Sequence, residues 1–159
     1  MIESAQGDLL RAPTEALVNA VNTVGVMGKG IALQFRQTYP EMFRDYAKAC
    51  ASGKVSIGLM HVYDRGAEFD LARWIINFPT KRRWREPSRL EDIESGLVDL
   101  VATVQRLGIK SIAIPPLGCG LGGLNWGDVR PHIEAAFADL ADVRVFVYAP
   151  VAVSTTAKR

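Results

Sequence analysis

Two glycine-rich segments constrain this chain more than any other feature: Gly25-Val-Met-Gly28-Lys-Gly30 and Gly118-Cys-Gly120-Leu-Gly122-Gly123. Each follows a short apolar run that reads as a strand, Ala16 to Val21 and Ser111 to Pro115, and each precedes a helical pattern. Glycine frees the backbone to approach a ligand and aim N–H groups at phosphate oxygens, and a helix N-terminus adds favourable potential. A lone loop of this kind is as often a plain turn. Two of them at the ends of neighbouring strands predict a site that closes on a diphosphate from both sides.

The rest of the chain supplies the frame. Ile57-Gly-Leu-Met-His-Val-Tyr63, Trp74-Ile-Ile-Asn-Phe78 and Val143-Arg-Val-Phe-Val-Tyr148 are further short runs rich in β-branched and aromatic residues, and are expected as strands. Between the strands lie helical patterns. Ile31 and Phe35 share a face that Pro40 stops, Pro40 then opens a second helix that Gly53 ends, and Ile133, Phe137 and Leu140 mark a last one. Ser88 is expected to cap a helix with the stripe Ile93, Leu97, Leu100, Val101, Val104 and Leu107, closed by Gly108. The alternation predicts an α/β fold, a three-layer α/β/α sandwich over a mixed, largely parallel central sheet. Ligands in such folds sit beyond the carboxyl ends of the strands, where both glycine loops fall.

Neither loop is a P-loop or a dinucleotide fingerprint, because the glycine and lysine spacings differ from both. Near the first loop, Asn19 is expected to be structural and Asn22 to reach a ribose. Asp8, after Gly7, either accepts from an adenine amino group or caps a turn. Lys81 follows Phe78-Pro79-Thr80 at a strand end and opens Lys81-Arg82-Arg83-Trp84-Arg85, four cations and an indole in five residues. The arginines would repel the lysine and lower its pKa, whereas a bound diphosphate would raise it. An aromatic among cations suits single-stranded nucleic acid, held by stacking and phosphate contact. His61, in an apolar strand, is expected to be a satisfied core residue, and Cys119 a small side chain in a tight loop rather than a nucleophile. Tyr148 either stacks on a base or packs in the core.

With 159 residues and a net charge of +2, the chain is expected to be one domain over residues 1–150, with a tail or linker from 151 to 159. Cys50 and Cys119 have no paired-ligand spacing and His61 and His132 no partners, so neither a disulfide framework nor a metal is expected. Met1-Ile-Glu-Ser carries no leader pattern and no run is long enough to span a bilayer, which predicts a cytoplasmic protein. No exposed heptad calls for self-association, and a monomer is expected.

Gly7-Asp8-Leu, Ala16-Leu-Val-Asn19-Ala-Val-Asn22, Gly28-Lys-Gly30-Ile-Ala, Pro116-Leu-Gly118-Cys-Gly120-Leu-Gly-Gly and Val-Phe-Val-Tyr148 together resemble the macrodomain family, in order and over nearly the whole chain. Asn22-Thr-Val-Gly-Val-Met-Gly-Lys-Gly, Tyr39-Pro-Glu-Met-Phe and Asn77-Phe-Pro-Thr-Lys81 resemble its DNA ADP-ribosyl glycohydrolase antitoxins. The resemblance implies a six-stranded mixed sheet and an ADP-ribose cleft. It implies removal, without a cofactor, of ADP-ribose that a toxin attaches to thymidine in single-stranded DNA. It places Asp8, Leu9 and Tyr148 near adenine. The diphosphate falls to Gly28, Lys29, Gly30, Ile31 and Ala32 with Pro116, Leu117, Gly118, Cys119, Gly120, Leu121 and Gly122. Asn19 is among the ADP-ribose contacts, Asn22 orients the distal ribose and is catalytic together with Lys81, and Arg82, Arg83, Trp84 and Arg85 are on the DNA. Related protein glycohydrolases pair their lysine with an aspartate at the position of Gly122, so that pairing is not expected here. The resemblance implies that the toxin engages a further C-terminal region, and nothing after Val151 resembles one. An ADP-ribose reader without turnover, or a hydrolase of a small ADP-ribose derivative, remain alternatives.

Overall fold

The computed structural model describes residues 1–151; residues 152–159, in the expected tail, lie outside the described residues. Among the described residues, six strands and four α-helices follow in the order β1 (Ile2–Ala5), β2 (Ala16–Val21), α1 (Gly30–Thr38), α2 (Pro40–Ala51), β3 (His61–Asp64), β4 (Trp74–Pro79), α3 (Leu90–Leu107), β5 (Ser111–Ile114), α4 (Trp126–Phe137) and β6 (Arg144–Tyr148). The strand order is β1-β6-β5-β2-β4-β3. All neighbours run parallel except β3, which is antiparallel to β4.

Alternation along the strands builds two cores. Ala16, Val18, Ile76, Phe78, Ile112 and Val145 face α3 and α4, packing on Ile93, Leu97, Leu100, Ile133 and Phe137. Leu17, Val21, Ile75 and Ala113 face α1 and α2, against Phe35, Met42 and Tyr46. The α/β/α sandwich is therefore the one the sequence predicts. Gly108 ends α3 in the left-handed conformation (φ 65°), which glycine adopts without strain.

Some local expectations fail for identifiable reasons. The strand expected from Ile57 starts only at His61: Gly58 sits at φ +89°, and Met60 N–H donates to Asp99 Oδ2 of α3 (2.7 Å). Ser88 does not cap α3. Arg89 occupies that position, while Ser88 N–H donates to the Gly122 carbonyl at 2.9 Å. Leu140 lies past the end of α4 but still packs on the core. Ile2–Ala5 forms an edge strand that the sequence pattern did not mark.

One seam of the sheet positions everything that follows. β2 registers with β4 along its whole length, from Ala16↔Trp74 to Val21↔Pro79. With β5 it pairs only through Ala16↔Ile112 and Leu17↔Ala113. Beyond Leu17 the two strands part, and the loops that follow them, residues 22–29 and 115–125, flank the opening.

Candidate functional site

A cleft of about 740 Å³ opens above that parting. The carboxyl end of β2, the start of α1, the end of β4 and the loop after β5 wall it. Both glycine loops line it, at Gly28, Lys29, Gly30, Ile31 and Ala32 on one side and Pro116, Gly118, Cys119, Gly120, Leu121 and Gly122 on the other. The first bond inside α1 is Leu33 N–H to the Lys29 carbonyl (3.2 Å), so the N–H groups of Gly30, Ile31 and Ala32 have no partner within the helix. The opposite loop needs glycine for reasons of space as well as conformation. Gly118 sits at φ +73°, and a Cβ there would lie 2.6 Å from Leu124; a Cβ on Gly122 would lie 2.5 Å from Ser88 Oγ. Two loops of bare backbone thus face each other across one opening, an arrangement that suits an anion.

Asp8, Leu9 and Tyr148 line one end. Asp8 caps the turn Leu9–Arg11, accepting from Leu10 N–H at 3.0 Å. Burial, with the Asp8 carboxylate second, raises the Tyr148 pKa and keeps the phenol protonated. Lys81 and Trp84 line the other end. The Lys81 pKa is lowered, and the cause is burial rather than the arginine repulsion expected from the sequence. Trp84 is flanked by Lys29 Nζ, 5.6 Å from its ring centre, and by the Arg85 guanidinium at 4.5 Å. The basic run divides at this point, because Arg82 and Arg83 line a separate hollow.

Three of the residues assigned to the ligand are engaged with the protein itself, Asn19 in the structural role expected of it. Leu117 is fully buried in the α3/α4 core, beneath the cleft floor. Asn19 is also fully buried and belongs to a polar rung across three strands. Its Nδ2 donates to Asn77 Oδ1 (3.1 Å), Asn77 Nδ2 pairs with His61 Nδ1 (3.0 Å), and His61 Nε2 pairs with Asp45 Oδ2 (2.9 Å). His61 is thereby the satisfied residue expected. Asn22 does line the cleft, yet its amide holds the first glycine loop. Oδ1 accepts from Val24 N–H (3.1 Å), Val26 N–H (3.3 Å) and the Tyr46 hydroxyl (2.9 Å), and Nδ2 donates to the Val26 carbonyl (2.8 Å). One Nδ2 hydrogen is left for a ligand. The sequence signal, an asparagine next to glycines, fits a loop-holding side chain equally well.

Thr80 and Ser88 line the cleft without having been singled out as site residues. Ser88 Oγ is buried without a partner, which its reading as a helix cap concealed. Burial raises the Cys119 thiol pKa, which favours the thiol over the nucleophilic thiolate. Among the described residues no three His, Cys, Asp or Glu side chains group as metal ligands, and no helix is long and apolar enough to cross a membrane.

Residues 18–133, which include both glycine loops and Lys81, match the Macro domain family. A DNA ADP-ribosyl glycohydrolase of Mycobacterium tuberculosis is 57% identical over 150 residues, covering 94% of this chain and 42% of that protein. The chain therefore spans less than half the length of this relative. The solved macrodomain of Mycobacterium tuberculosis DarG has a TM-score of 0.92 at 57% identity, covering 94% of this chain and 98% of that one. The Thermosipho africanus DarTG structure, in complex with ADP-ribose, has a TM-score of 0.85 at 33% identity, covering 98% of this chain and 44% of that one. The sandwich, the parted sheet and the paired glycine loops are thus those of an established fold family, and this chain belongs to the macrodomain family.

Proposed function

We propose that this chain is a DNA ADP-ribosyl glycohydrolase that hydrolyses the bond between ADP-ribose and a thymidine base in single-stranded DNA, reversing the action of a DNA ADP-ribosyltransferase toxin. The observation that carries the reading is Lys81. It is a partly buried ammonium on the wall of a cleft whose other walls are two glycine loops suited to a diphosphate. High identity to a protein named for this activity supports the reading. Asp8, Leu9 and Tyr148 hold the adenine end, the glycine loops hold the diphosphate, and Asn22 keeps the first loop in shape. Trp84 with Lys29 and Arg85 receives the DNA, and Arg82 and Arg83 meet its phosphates. The protein acts as a cytoplasmic monomer, and the toxin binds elsewhere, through a C-terminal region.

Cleavage leaves positive charge on the anomeric carbon and negative charge on the departing base nitrogen. An ammonium beside that nitrogen stabilises the charge, and its lowered pKa makes it a readier proton donor. Lys81 gives its proton to the base, water adds its hydroxyl to the anomeric carbon, and solvent takes the proton from water and returns one to Lys81. The test is release of ADP-ribose from single-stranded DNA carrying ADP-ribosylated thymidine, wild type against Lys81→Ala. Release by wild type alone is expected. Release by both removes Lys81 from the chemistry. Release by neither, with ADP-ribose still bound, makes the chain a reader or a hydrolase of another ADP-ribose derivative.

A further inference from the structure

The basic run serves two concavities. Thr23 N–H and Thr23 Oγ1 both donate to the Arg82 carbonyl at 3.0 Å, and Thr80 N–H donates to the Val21 carbonyl at 2.9 Å. These bonds join the segment after β2 to the segment after β4 in a single rim. On one side of the rim Val26, Lys81 and Trp84 line the cleft. On the other lies a hollow of about 360 Å³ lined by Val24, Val55, Ser56, Ile57, Arg82 and Arg83, together with Thr23 of the rim. Three apolar side chains along this crest are exposed: Val24 is 50% exposed, Trp84 43% and Val26 40%.

We propose that the hollow is the subsite for the nucleotide next to the modified thymidine; this rests on the glycohydrolase reading above. A strand whose modified base enters the cleft must leave over a wall, and this wall carries both cations and exposed apolar side chains. The linking phosphate crosses the rim between Arg82 and Arg83. The neighbouring base lies on Val24 and Ile57, with the Ser56 hydroxyl at its edge. Cations beside an apolar platform are how single strands are held without a fixed sequence, and the volume is that of a small-ligand site. The charges match the proposed occupant. Arg82 has one carboxylate neighbour, Asp92, at a loose 3.7 Å, and both arginines are exposed. Because the hollow lies on one side of this rim, the subsite takes the nucleotide on one side of the thymidine only.

The test compares kcat/KM for three substrates: the ADP-ribosylated thymidine mononucleotide, the same residue extended by three nucleotides on the 5′ side, and extended on the 3′ side. One extension is expected to raise wild-type kcat/KM about tenfold, the scale of one stacked base with its phosphate, and the other to change it little. Ser56→Asp puts an anion in the hollow and is expected to remove that gain while leaving the mononucleotide rate, which also reports correct folding, unchanged. Arg83→Ala should remove most of the gain and flatten its salt dependence. Equal gains from both extensions would mean diffuse attraction and overturn the subsite, as would a full gain in both variants. Failure of wild type on all three substrates would overturn the glycohydrolase reading, and the subsite with it.

Discussion

Asn22→Ala separates a side chain that shapes a loop from one that touches the ligand. The substitution removes the acceptor of Val24 N–H and Val26 N–H and the donor to the Val26 carbonyl. Tyr46 keeps a partner, because its hydroxyl also lies 2.7 Å from the Asn22 main-chain carbonyl. Three main-chain bonds are therefore lost. Val24 and Val26 are partly exposed, so water replaces some of each bond, and the lower end of the usual range applies, giving about 2 kcal/mol in all. If the whole protein feels this loss, Tm falls by about 4–8 °C for a chain of this size. If the loop opens on its own, Tm moves less and the binding-competent fraction drops, weakening affinity by up to about 30-fold. Differential scanning calorimetry and titration calorimetry with ADP-ribose and with ADP measure both quantities. ADP and ADP-ribose should weaken alike, since the loop faces the diphosphate they share. An unchanged Tm with a loss confined to ADP-ribose would refute the loop role and give Asn22 a direct bond to the distal ribose.

Lys81→Met should abolish turnover while ADP-ribose still binds, and should raise Tm slightly at neutral pH, because it removes a partly desolvated cation. The sign follows from a folded pKa below the unfolded one: native Lys81 penalises folding while charged, and the penalty fades as pH climbs from the folded pKa toward the unfolded value of about 10.4. Wild type and variant should therefore converge in alkaline melts. Gly122→Ala places a Cβ 2.5 Å from Ser88 Oγ and 3.1 Å from Ser88 Cβ, and should cost about 1–2 kcal/mol; the Ser88→Gly background should recover most of that in a double-mutant cycle. Gly96→Ala should destabilise by about 1–2 kcal/mol in urea melts despite better helix propensity, because its Cβ would meet the buried Phe78 ring at 2.3–2.5 Å.

What the sequence made legible was whatever had a local cause. β2 was readable from its apolar run and Gly108 from its place after the α3 stripe, and both loops from glycine density. What escaped depended on partners distant in the chain. β1 is a short edge strand whose pairing with β6 brings residue 2 beside residue 145. Asp99, far along α3, ended the strand expected from Ile57 by taking the Met60 N–H. Ser88 looked like a cap because serine before a helix usually is one, yet its main chain bonds Gly122 in the loop after β5. Asn22 and Asn19 have the same side chain, and only packing tells which partners each amide finds.

The narrow register between β2 and β5 has a consequence for how the molecule holds together. Strands β1, β6 and β5 form one panel and β2, β4 and β3 another, joined along the sheet at Ala16↔Ile112 and Leu17↔Ala113. The two glycine loops stand on opposite sides of that joint. A diphosphate gripped by both would tie residue 28 to residue 118, closing a loop of the chain much as a covalent cross-link does, but reversibly. Amide exchange at the joint should therefore slow when ADP-ribose binds, even in strands the ligand does not touch.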